Sequence, residues 1–110
     1  MPTMLYRFQS DAGADVIMLG ESGDALLRLL GRAPAPQGIF EVPALPALIA
    51  NLEAGVAADE AQFQRAVAAA AAEGGPAPKR SGVSLRQRAW PLRELLAQSQ
   101  RAGVAVVWGV

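Results

Sequence analysis

Apolar and polar residues alternate from Met4 to Gln9, with Met4, Tyr6 and Phe8 on one side and Leu5, Arg7 and Gln9 on the other. A period of two belongs to a half-buried strand. Ser10-Asp11-Ala12-Gly13 has turn chemistry, and Asp15 to Leu19 is a short apolar run stopped by Gly20, so the pair predicts a hairpin with a longish loop. Ser22-Gly23-Asp24 offers a cap before Ala25 to Leu30, where Leu26, Leu29 and Leu30 recur at helical spacing and Gly31 suits a left-handed end. Pro34 and Pro36 stiffen the turn that follows, Ile39 to Val42 reads as a third strand, and Pro43 ends it.

From Ala44 the period becomes 3.6 for about thirty residues, with Leu45, Leu48, Ile49, Leu52, Val56, Phe63 and Val67 on one stripe and Pro46 tolerated in the first turn. The stripe thins past Val56. Asp59 and Glu60 fall where the next apolar residue is due, and Ala66 to Ala72 adds helix propensity but little area, so this end should fray or lean on another element. Three glycines and two prolines within residues 74–82 predict a flexible linker. Ser84 and Gln87 then form a capping box ahead of a helix from Leu85 to about Ala102, Gly103 ends it, and Val104 to Trp108 reads as a closing strand. The order ββαβααβ over residues 1–110 predicts one α+β domain, a small, mostly antiparallel sheet of about four strands with helices on one face. These patterns do not specify strand order.

Composition narrows the chemistry. The chain has 110 residues and neither cysteine nor histidine, which excludes disulfides, conventional zinc sites, a cysteine nucleophile and a Ser-His-Asp triad. No metal or cofactor is expected, and no catalytic motif is present, so the expected class is not an enzyme. Gly20-Glu21-Ser22-Gly23 lacks the spacing of a phosphate-binding loop. Glu53 and Glu60 share a helix face, which a solvated surface explains.

Ten bases balance ten acids, and this neutrality argues against nucleic acid as a partner. The balance is uneven along the chain: residues 1–73 hold nine acids and four bases, residues 74–110 six bases and one acid. The two parts should attract, within one copy or head to tail between copies. No stretch has the form of a secretory signal or approaches the length of a membrane span, so the cytoplasm is the expected compartment and no membrane partner is expected.

The last helix carries the most specific surface. Projected at 100° per residue, Leu85, Ala89, Leu92, Leu95, Leu96 and Ser99 share an arc of about 120°, while Trp90 lies roughly 140° from Leu85 in company with Arg86, Arg93 and Arg101. Two readings stay open. Trp90 fills a second interface inside the fold while the arginines pair with acids of residues 1–73. Alternatively Arg86, Trp90, Arg93 and Arg101 meet another protein or a second copy, since Trp and Arg are enriched at binding hot spots. Ser84 and Arg86 at the helix N-terminus offer a further alternative, a small anionic ligand or nucleotide, with Lys79 and Arg80 nearby. Pro91 within this helix predicts a local bend.

Met4 to Phe8, Asp15 to Leu19, Gly38-Ile39, Val83 to Leu92 and Val106 to Gly109 together resemble the short proteobacterial proteins catalogued as domain of unknown function 1840. The resemblance runs nearly end to end and is most specific in Ser84 to Leu92 and in the Val106-Val107-Trp108-Gly109 ending. It implies a small bacterial protein, supplies no activity, and suggests a natural start at Met4. The expected function is therefore a non-catalytic protein-protein interaction module, with an anion or nucleotide binder as the alternative.

Overall fold

The computed structural model describes residues 4–79 and 84–109. Strands β1 (Leu5–Ser10) and β2 (Gly13–Leu19) form a hairpin; α1 (Gly20–Leu29), β3 (Gly38–Phe40), a 3-10 turn (Val42–Ala44), α2 (Leu45–Ala72), α3 (Leu85–Ala102) and β4 (Val106–Trp108) follow. The sheet order is β2-β1-β4-β3, antiparallel throughout. This is the expected α+β architecture in the expected element order. Met1 to Thr3 and Arg80 to Val83, where the expected linker ends, lie outside the described residues.

The alternation in β1 sorts the sheet into two faces. Tyr6 and Phe8 face the helices with Phe40, Val106 and Trp108, all buried. Their rings form one chain, with Phe8 5.8 Å from Tyr6, 6.1 Å from Phe40 and 5.6 Å from Trp108, so a single aromatic cluster joins all but the β2 edge. The Trp108 indole donates to the Ala35 carbonyl at 2.9 Å, which satisfies its one polar atom. Above the rings lie Leu26, Leu27, Leu45, Leu48, Leu52, Leu92, Leu95 and Leu96. Ser99 is buried in this face of α3; its hydroxyl donates to the Leu95 carbonyl and bonds Ser10 across to β1. A polar side chain on the core stripe is thereby satisfied.

Element boundaries differ from expectation where side chains recruit the backbone. Helix α1 starts at Gly20, not Ala25, and Leu19 caps it without a side-chain bond. The Gly20 amide donates to the Met4 carbonyl, and Gly23, having no Cβ, lies flat on the Tyr6 ring. Asp24, expected in a cap, instead accepts the Tyr6 hydroxyl. The hairpin loop is tighter than expected, two residues held by an Ala12 amide donating to Ser10 Oγ. Strand β3 begins and ends earlier, because Gly38 lies against the Trp108 ring and Val42-Pro43-Ala44 already turns toward α2. The expected capping box at Ser84 and the left-handed Gly103 are both present, and α3 continues through Pro91.

Helix α2 is the reason the molecule is elongated. Its buried residues are Leu45, Leu48, Leu52 and Val56, all in its first half. At 1.5 Å per residue its 28 residues span roughly 42 Å. The radius of gyration, 15.9 Å, exceeds the roughly 13 Å of a compact chain of this length. Amide hydrogens of the second half, residues 60–72, are expected to exchange at least about tenfold faster than those of residues 48–56, since local opening there costs little apolar burial. Equal protection along the helix, read by hydrogen exchange, would contradict this.

Candidate functional site

Two surfaces present residues that the core does not consume. The first is the Trp90 ridge. Arg86 and Arg93 stand one turn either side of Trp90 and place their guanidinium carbons 5.0 and 5.2 Å from its ring centroid. Each arginine also reaches α2. Arg86 donates from Nε to Glu60 Oε1 at 2.8 Å, and Arg93 donates from Nε to Glu53 Oε1 at 3.0 Å and from Nη1 to Glu94 at 2.9 Å. The Arg93 pKa is raised, first by its bond to Glu53 and then by that to Glu94. Stacking and ion pairing together hold the indole between two cations, with 38% of the residue exposed.

The expected cluster is therefore partly assembled. Arg86, Trp90 and Arg93 come together; Arg101 stands about 16 Å beyond Trp90 along the helix axis and does not join them. The charges of Arg86 and Arg93 are already matched, and exposed pairs of this kind contribute little stability each. Pairing with acids of residues 1–73 was one of the readings open from sequence and is observed, but the particular partners were missed, since Glu53 and Glu60 read as a solvated face. A signal existed: the two acids are seven residues apart, as are Arg86 and Arg93, and antiparallel helices bring such sets together in reverse order.

The alternative anion site is engaged internally. Ser84 Oγ accepts the Gln87 amide at 3.2 Å, while Gln87 Oε1 accepts the Ser84 amide at 3.0 Å. Arg86 is bound to Glu60, and Arg80 lies outside the described residues. Among the described residues no group of three or more acids is placed to hold a metal ion.

The second surface is the sheet face turned away from the helices. The register puts Leu5 opposite Leu19, Arg7 opposite Ile17, and Ile39 opposite Val107. No helix covers these side chains; Leu5, Ile17, Leu19 and Ile39 are 55%, 53%, 69% and 44% exposed. Four of the six large apolar residues left exposed among the described residues thus share one face. Arg7 Nε lies 3.4 Å from Asp15 Oδ2 on the same face. At its end is an open cleft of about 480 Å³ lined by Gln9, Ser10, Asp11, Asp15, Val104 and Val107. Sequence reading saw Leu5 on the polar side of its strand, but without strand order it could not put Ile39, at the far edge beside Val107, on the same face. Among the described residues, no helix is long and apolar enough to cross a membrane.

A family model described as domain of unknown function (DUF1840) matches residues 4–108. No curated protein and no solved structure matches the chain.

Proposed function

The chain belongs to the DUF1840 family, whose description names no activity, and on that premise we propose that it is a non-catalytic protein-interaction module of the bacterial cytoplasm, docking through the outward face of its sheet. The observation that carries the reading is the grouping of Leu5, Ile17 and Leu19 on the β1–β2 half of an uncovered face, with Ile39 beside Val107 at its other edge. Isolated exposed apolar residues are ordinary, whereas a contiguous set rimmed by polar groups marks interaction surfaces. Lack of both cysteine and histidine weighs on the same side. The exposed edge of Trp90 favours a second, smaller contact on α3, because a ring held between two guanidinium groups loses little freedom on binding.

Co-purification from the native cell tests the assignment. Changing Ile17 and Leu19 together to lysine should leave the melting temperature within a few degrees, both side chains being more than half exposed, yet remove the bound protein. Trp90→Ala should weaken capture only in part. Retention of every partner by the lysine variant, or complete loss through Trp90→Ala alone, would move the docking site to α3.

A further inference from the structure

We propose that the occupant of the outward sheet face is a second copy of this chain, packed face to face about a two-fold axis; the inference rests on reading that face as the docking surface. Charge is the first argument. Arg7 and Asp15 are the charged residues at the outward positions of the strands, and they form a pair 3.4 Å apart, so those positions carry no net charge, Asp11 lying in the turn at one end. A strongly charged partner gains nothing there. A two-fold interface requires a patch complementary to itself. One cation beside one acid meets that requirement, because rotation about an axis lying in the interface plane, over the midpoint of Arg7 and Asp15, sets Arg7 of each copy against Asp15 of the other.

The whole chain gives the same answer at longer range. Its formal net charge is zero, so two copies approach without the repulsion that keeps highly charged proteins apart. Geometry allows close contact, since Leu5, Ile17, Leu19 and Ile39 rise from one sheet without an intervening helix, and paired sheets pack about 10 Å apart.

Area sets the strength. Four strands at about 4.8 Å spacing, three to seven residues long, cover roughly 300 Å² in plan, below the roughly 800 Å² per partner of a tight complex. So small an interface is expected to exchange with monomer rather than persist.

Sedimentation equilibrium of the full chain, from about 5 μM to about 1 mM, tests this. The expected mass rises from 11.4 kDa toward twice that value. Ile17→Lys should stay monomeric over the range, with Leu5→Lys as an independent second disruption and a melting curve of each confirming the fold. Arg7→Glu and Asp15→Arg, each charging the face with one sign, should each dimerise at least about tenfold more weakly, and an equimolar mixture of the two should dimerise again. A wild type that stays at 11.4 kDa throughout overturns the second copy as partner; if the Ile17/Leu19 lysine variant still loses a cellular protein, the docking face itself stands. A dimer that ignores Ile17→Lys, Leu5→Lys and the charge changes also overturns the inference and places self-association elsewhere, such as the free edge of β2.

Discussion

Replacing Gly23 with alanine is expected to destabilise the protein by about 2–3 kcal/mol, although helix propensity alone favours alanine by up to about 1 kcal/mol. The opposing effect is larger. A Cβ at position 23 would overlap Cδ2 on the edge of the Tyr6 ring, and that ring is buried with its hydroxyl bonded to Asp24. The ring cannot swing aside without giving up that bond, so α1 must lift from the sheet. Urea denaturation reads the loss directly. In a Tyr6→Ala background the same change should become neutral or stabilising, because the obstacle is gone and propensity remains. A Gly23→Ala variant as stable as the parent would show that α1 does not lie on Tyr6 as described.

Phe8→Ala should cost about 3–5 kcal/mol, close to the whole stability of a marginal domain. Phe8 is fully buried and touches Tyr6 and the Phe40 and Trp108 rings, so its loss leaves a cavity bordered by three strands. It also removes the ring contact between the β1–β2 hairpin and β4, leaving only backbone pairing there. Thermal unfolding followed by near-ultraviolet circular dichroism should show a transition lowered by more than about 10 °C, with a weakened Trp108 signal. A shift of only a few degrees would mean that the aromatic chain is not the centre of the core.

Periodicity carried most of the architecture. The alternation through Tyr6 and Phe8, the stripe from Leu45 to Val56 and the Ser84 capping box are local signals, and each produced the element it predicts. Boundaries failed where a distant side chain decides them. Gly23 reads as a helix-cap residue until the Tyr6 ring lies beneath it, and Gly38 reads as turn until Trp108 stacks over it. Strand order depends on β4 inserting between β1 and β3, a long-range event that no local pattern records. The same gap hid the outward face. Leu5, Ile17 and Ile39 are unremarkable singly in sequence and become a surface only once β1, β2 and β3 share a sheet. Trp90 was visible from the helical projection of α3, but the ties of Arg86 and Arg93 to Glu60 and Glu53 in particular needed the antiparallel pairing of α2 with α3.

Backbone amide shifts recorded on serial dilution test the central claim residue by residue. If the outward face is where this chain meets its own copy, the shifts that move with concentration belong to Leu5, Arg7, Ile17, Leu19, Ile39 and Val107, while the Trp90 indole and the Arg101 amide stay still. Movement confined to α3, or a spectrum unchanged to about 1 mM, would contradict it.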